Sequence, residues 1–337
     1  MARYDAIRLA HGSGGRLTAE LIRELFAATF ASEPLAALTD AAVLDNLGGR
    51  LAFATDTHSV KPWRFPGGDI GRLAVAGTVN DLAVMGAVPT YLSAAFLLEE
   101  GFRMEDLEAV FRSMKATADE AGVEVVAGDT KVVERGKGDG IFVTTTGVGF
   151  LPDGRDIGPQ RLTAGDVLLV NGTLGDHGLA VMAAREGLEL GMALTSDVAP
   201  LGGLVEALLA AAPDVHFLRD LTRGGLAAVA NEMVEARPFG LRVWDAQVPL
   251  DRDVAELSEM LGIDPLLAAN EGKLVVAVPP AQADAALQAM RAHPLGRRAA
   301  VIGDLVARPA GMALVETAYG SRRVLEMPVE EQLPRIC

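Results

Sequence analysis

In both halves of this 337-residue chain, apolar runs of strand type mix with longer runs whose apolar spacing is near 3.6, without strict alternation. In the first half, Leu51–Thr55, Tyr91–Leu98, Glu124–Ala127 and Ile141–Phe150 read as strands. Ile70–Met85, expected to be amphipathic, and Met104–Ala121 read as helices. In the second half, strands at Asp166–Val170, Lys273–Val278, Ala299–Val306, Met312–Glu316 and Arg323–Glu326 mix with helices at Gly178–Glu186, Pro200–Ala212, Gly224–Ala236 and Ala281–His293. A doubly wound parallel sheet needs a regular strand–helix rhythm, and its absence predicts an α+β fold. The turn Leu151-Pro152-Asp153-Gly154 marks a boundary, and the length fits two domains. The expected division is 1–152, 153–328 and a tail, 329–337, whose sequence VEEQLPRIC has no packing pattern.

That tail ends in Cys337, the only cysteine. A single thiol excludes a disulfide framework and fits a reducing cytoplasm. Nine extended residues reach roughly 30 Å at about 3.3 Å each, enough to enter a site on the same subunit or on a neighbour. The tethered thiol is either a nucleophile carried into a site and modified there or a chance residue on a loose end. Acidic residues number 45 against 30 basic ones, a net charge of −15, which disfavours a nucleic-acid partner. No apolar run approaches the roughly 18 residues of a membrane span, and the N-terminus does not read as a signal peptide. The expectation is a cytoplasmic protein away from membranes.

Asp40, Asp56, Asp81 and Asp129 read as strand-end or glycine-rich-turn aspartates. Such carboxylates suit Mg²⁺ paired with nucleotide phosphates, and equally suit local turn capping. Asp81 differs, because an Asn80-Asp81 pair inside an apolar helix needs a partner. The loop His11-Gly12-Ser13-Gly14-Gly15-Arg16, ahead of a helix near Leu17, is either an anion cradle or a flexible linker. In Asn270-Glu271-Gly272-Lys273, Glu271 can act as a base if burial raises its pKa. In Gly128-Asp129-Thr130-Lys131, Lys131 can neutralise phosphate charge. Surface ion pairing or strand-end solvation is the alternative for both clusters. Asp220-Leu221-Thr222-Arg223-Gly224-Gly225 is either a helix cap or a second phosphate-facing turn. His11, His58, His177, His216 and His293 have no metal-site spacing, and no G-x-S-x-G hydrolase motif occurs.

Together HGSGG at 11–15, FPGGDIG at 65–71, NDLAVMGA at 80–87, GDTKVV at 128–133, GTLGDHG at 172–178, DLTRGG at 220–225, NEGKLV at 270–275 and the terminal PRIC resemble the HypE family of hydrogenase maturation proteins. That family is similar to aminoimidazole ribonucleotide (AIR) synthetase and selenophosphate synthetase. The resemblance spans the chain, and PRIC is its most specific part. It implies a two-domain AIR synthetase-like α+β fold, an N-terminal sheet that pairs across a homodimer, a C-terminal α+β domain and a flexible tail. It implies ATP and Mg²⁺, with Gly12, Ser13, Gly14, Gly15, Asp56, Asp81, Asp129, Thr130 and Asp220 at the nucleotide. Asp40, Asp56, Asp81 and Asp129 are then the candidate metal ligands.

The implied reaction starts when a partner, HypF, converts Cys337 to an S-carboxamide. ATP-dependent dehydration then gives a thiocyanate, whose cyanide passes to iron on a HypC–HypD complex for nickel–iron hydrogenase. Glu271 is the candidate base and Lys131 the polarising cation, with the two roles exchangeable. One segment departs from the family pattern: Thr57 to Arg64 is more polar and basic, and reads as a solvated loop. Two other functions fit the residues: a small-molecule kinase or synthetase of the same superfamily, and a carrier of a cysteine-bound group that does not use ATP.

Overall fold

The computed structural model describes residues 4–13, 16–36, 42, 44, 49–188, 193–328, 333 and 335–337. Its first half holds a four-stranded sheet in the order Arg50–His58, Ile141–Leu151, Val88–Glu99, Glu124–Val133. The first three strands run antiparallel to one another, and the last is parallel to Val88–Glu99.

Helices Ile70–Val84 and Met104–Ala121 belong to the core of this half. The second is amphipathic, with Leu107, Val110, Phe111 and Met114 buried, and it stops at Gly122, whose positive φ of 69° suits glycine. The first is not amphipathic as expected. Thirteen of its 15 residues are buried and only Arg72 and Asp81 escape. The reason is that both its sides are covered: Thr78 bonds into the sheet, while Asn80 bonds to Ala199 and Leu201 of the second half. A helix enclosed on all sides has no polar stripe.

The sheet's other face carries Leu51 (57% exposed) and Phe53 (72% exposed). Strand Glu124–Val133 runs past the expected end at Ala127, so Gly128-Asp129-Thr130-Lys131 is strand rather than turn. Gly128 is required there for packing, since a Cβ would meet the Phe26 ring at 2.4 Å. Asp56 likewise lies inside its strand, two residues before the end at His58.

The second half holds a seven-stranded sheet ordered Arg322–Val324, Ala313–Glu316, Gly240–Trp244, Ala300–Val306, Val167–Val170, Leu274–Val278, Phe217–Asp220. Alternate residues serve two cores, as a period of two demands. Leu169, Leu274 and Val276 meet helices Gly202–Ala211 and Ala283–Ala292 through Leu204, Leu208 and Met290. Val170, Val275 and Ala277 meet helix Gly225–Val234 through Leu226, Ala230 and Met233. Strands Phe217–Asp220 and Gly240–Trp244 and helix Arg252–Leu261 were not anticipated. The strands have only four and five residues, too short for a periodic signal.

Candidate active site

Four carboxylates from remote parts of the chain converge where the two halves meet. Asp56 comes from its strand, Asp81 from a half-buried position of helix Ile70–Val84, Asp220 from the end of its strand, and Glu271 from the turn before Leu274–Val278. Thr78 Oγ1 donates to Asp56 Oδ2 at 3.4 Å. Asn80 Nδ2 donates to the Glu271 carbonyl at 3.3 Å, tying the helix to that turn. Leu221 N–H donates to the Lys273 carbonyl and Asn270 N–H to the Leu221 carbonyl, so Asp220 and Glu271 are held side by side.

The neighbours of Asp81 are mostly of like charge, so its ionised form is disfavoured rather than paired. Burial raises the Asp81 pKa to about 7, reinforced by Asp220 and Asp56, with Arg219 opposing. Burial also raises Asp220 to about 6; Arg219 opposes and Asp56 adds. Glu271 is pushed well above the usual carboxylate range by burial, then by Asp220, Asp197 and Asp56, with Arg223 opposing. Among the described residues its Oε1 finds no hydrogen-bond donor. His58 is forced down to about 4 by burial, against the pull of Asp56, and is therefore a neutral imidazole. Crowded carboxylates with raised pKa values beside a cleft are the arrangement that functional sites favour.

A cavity of about 450 Å³ opens onto Asp81 and Asp220. Its walls include Ala54, Met85, Ile157 and Met233, together with Arg219 and Glu232. Apolar walls with a few charged groups suit a mostly apolar ligand oriented by polar contacts.

The other sequence candidates fall elsewhere. Asp56 is in register with Thr145, Ala94 and Gly128, whereas Thr57 is in register with Thr144, Ala95 and Asp129. Successive rows point to opposite faces. The Asp56 row faces the helices, where the Thr145 hydroxyl donates to the Ala74 carbonyl. Asp129 and Lys131 lie on the outward face with Phe53 and ion-pair with each other at 3.2 Å, so neither joins Glu271 within one protomer. Thr130 points inward and is buried. Gly12 packs at the far end of the same strand, where a Cβ would meet Val132 N at 2.5 Å. Ser13 Oγ donates to the Ala10 carbonyl. Gly14, Gly15 and Asp40 lie outside the described residues. Among the described residues, no three His, Cys, Asp or Glu side chains are grouped to hold a metal ion.

The tail is docked. Leu333 and Ile336, the latter 2% exposed, are buried in the first core, correcting the reading that VEEQLPRIC lacks packing residues. Two isolated apolar residues make no period, so only tertiary contact reveals them. The segment read as a solvated loop is the seat. Ser59 N–H donates to the Cys337 carbonyl at 3.1 Å and Lys61 N–H to the Arg335 carbonyl at 3.2 Å. Asp139 pairs with both Lys61 and Arg335.

Sequence reasoning also missed His177, Ser196, Asp197 and Lys273. His177 Nε2 lies 2.6 Å from the Ile336 carbonyl and its Nδ1 2.8 Å from Ser196 Oγ. Lys273 Nζ bonds Asp197 at 2.8 Å. The GDHG and NEGK motifs contained two of these residues, but a lone buried histidine gives no sequence signal of its target.

A family model described as AIR synthase related protein, N-terminal domain, matches residues 38–151, and its C-terminal counterpart matches 163–315. A Rhodobacter capsulatus protein named carbamoyl dehydratase HypE is 51% identical over 338 residues, covering 99% of each chain. A crystal structure of hydrogenase maturation protein HypE in complex with ATP has a TM-score of 0.93 and 46% identity, covering 98% of this chain and 99% of that one. HypE in a crystal structure of a HypE–HypF complex has a TM-score of 0.81 and 45% identity, covering 91% and 99%.

Proposed function

This chain belongs to the HypE family of carbamoyl dehydratases, built on the two-domain AIR synthase-related fold, and we propose from that premise that its docked tail is its substrate. The protein is an ATP-dependent carbamoyl dehydratase of hydrogenase maturation. It converts the S-carboxamide on Cys337 to a thiocyanate, the source of cyanide for the iron of nickel–iron hydrogenase. The observation that carries the tail's role is the docking of the Cys337 backbone, whose carbonyl accepts the N–H of Ser59, three residues along the chain from Asp56.

An amide oxygen is a poor leaving group, and phosphorylation makes it a good one. The carboxamide oxygen attacks the γ-phosphorus of ATP, ADP leaves, and the nitrogen loses one proton. Loss of the second N–H proton then drives out phosphate with the C–O electron pair and forms C≡N. Glu271 is assigned as the base: its Oε1 is unengaged and its raised pKa makes the ionised form a strong acceptor. Arg219 and Arg223, which already oppose the carboxylates, are assigned to the phosphates.

Mg²⁺ fits this donor set. Asp81 and Asp220 repel each other and Asp56, and a divalent cation among them removes that repulsion. Mg²⁺ commonly uses one or two carboxylates plus phosphate oxygens. When bound it supplies charge neutralisation of the transferring phosphoryl group. Among the described residues no three carboxylates are grouped to hold the ion alone, so Asp81 and Asp220, which line the cavity, would hold it together with phosphate oxygens, with Asp56 and Asp40 weaker candidates.

The proposed domain division is 1–152, 153–328 and the tail 329–337. A homodimer through the outward sheet face would bury Leu51 and Phe53 and carry Asp129, Lys131 and the adjoining 11–15 loop toward the second protomer's cleft. HypF, whose complex with a relative is solved, is the proposed source of the carboxamide, and HypC–HypD the proposed acceptor. Among the described residues no helix is long and apolar enough to cross a membrane, and we place the reaction in the cytoplasm.

Intact-protein mass spectrometry tests the reading. Carbamoylated protein with Mg-ATP should lose the mass of one water, mapped to Cys337. An unchanged mass refutes it.

A further inference from the structure

We propose that His177, acting through the dipeptide Ser196-Asp197, is a positioning residue that sets the register of the thiol-bearing tail against Glu271. The proposal rests on the dehydratase reading for its purpose, but its geometry stands apart from ATP.

His177 sits in the first turn of helix Asp176–Glu186 and is fully enclosed. Phe65 meets its ring edge-on at 5.3 Å. The Ile336 carbonyl can only accept, so His177 Nε2 donates to it across 2.6 Å. Burial lowers the His177 pKa and keeps the ring neutral. Nδ1 of a neutral ring then accepts, so the Ser196 hydroxyl donates to it at 2.8 Å. Ser196 Oγ in turn accepts the Val198 N–H at 3.1 Å. One tautomer and one hydroxyl orientation satisfy the whole chain, which ends one residue before Cys337.

The next residue along faces the other way. Asp197 Oδ1 accepts the Glu271 N–H at 3.1 Å, and Oδ2 accepts the Gly272 N–H at 3.2 Å and the Lys273 ammonium at 2.8 Å. Burial alone would raise the Asp197 pKa, but the Lys273 ammonium holds it below its ordinary value. Gly272 can approach this closely only without a side chain, since a Cβ would lie 1.9 Å from the Asp197 carbonyl oxygen. Ser196 is itself fixed, because its N–H donates to the Pro66 carbonyl at 2.8 Å and Gly67 packs against its backbone. Of two adjacent residues, one therefore fixes the His177 ring that holds the tail and the other grips the Glu271 backbone. A single peptide bond separates the grips and leaves little slack. Neither His177 nor Asp197 is assigned contact with the reacting atoms. Their effect is geometric, and small misplacements are costly to reaction rates.

The single thiol makes the test clean. In the full-length protein, alkylation of Cys337 by iodoacetamide, without ATP, reports release of the tail. His177→Phe should raise that rate about three- to tenfold, the range expected of one net hydrogen bond. It should slow water loss from the carbamoylated protein at least as much, with ATP affinity unchanged. His177→Gln, which keeps an N–H donor, should recover most of both effects. Ser196→Ala should act in the same direction more weakly, and the double variant should be no worse than His177→Phe alone. If His177→Phe alkylates and dehydrates like the wild type, the proposal is overturned. It is equally overturned if the tail loosens but dehydration keeps its rate, or if only the melting temperature moves. Failure of the wild type to lose water refutes the dehydratase reading instead, and leaves the alkylation results to judge the grip.

Discussion

Replacing Asp220 by Asn should stabilise the metal-free protein, and by an amount that depends on pH. Asp220 is raised from 3.8 to about 6, by burial first and with Asp56 adding. At 1.36 kcal/mol per pKa unit, this is about 3 kcal/mol of preference for the protonated form. The sign follows from linkage. The folded state binds this proton more tightly than the unfolded chain, so ionisation destabilises the fold. That penalty is absent below pH 3.8, grows as pH rises through about 6, and is complete above it. Asn has the same shape and no charge, so Asp220→Asn removes the penalty.

Asp81, which itself retains a proton up to about 7, absorbs part of the repulsion, so about 1–3 kcal/mol is expected at pH 8. Thermal unfolding in chelator should show a midpoint raised by roughly 3–8 °C at pH 8 and a gain near zero at pH 4. Adding Mg-ATP should reverse the order, because the wild-type carboxylate then has a cation to bind. Destabilisation of the variant at pH 8, or an equal gain at both pH values, would refute the argument that the four carboxylates are mutually strained.

Two further outcomes are expected. Glu271→Gln should bind ATP normally but slow water loss from carbamoylated protein by about 10²–10⁴, the usual contribution of a general base, and wild-type rates would remove Glu271 from that role. Phe53→Asp, on the outward sheet face, should convert a dimer to a monomer in sedimentation velocity, and an unchanged sedimentation coefficient would place any dimer contact elsewhere.

Much of the local structure was legible because periodicity is a local property. The helix expected over Met104–Ala121 occupies those residues, and the long strands are found within a few residues of their expected ends, except Glu124–Val133, which runs on past Ala127. The cost of the Asp81 charge was also legible, since charge inside an apolar run is costly whatever surrounds it, and burial with Asp220 and Asp56 raises its pKa to about 7. Ile70–Val84 was misread because its second covering layer comes from the other half of the chain.

The face of the sheet on which Asp129 lies could not be read either. A period of two fixes that Asp129 and Lys131 share a face, but only the pairing with Val88–Glu99 and onward to Arg50–His58 fixes which face it is. The sequence by itself determined the α+β class and the family, because residue type and spacing are written in the chain. Only the tertiary structure decided that Asp56, Asp81, Asp220 and Glu271 gather while Lys131 does not, and that the Cys337 tail is seated by His177. Those outcomes depend on strand register and on contacts between residues far apart in sequence, which no local pattern encodes.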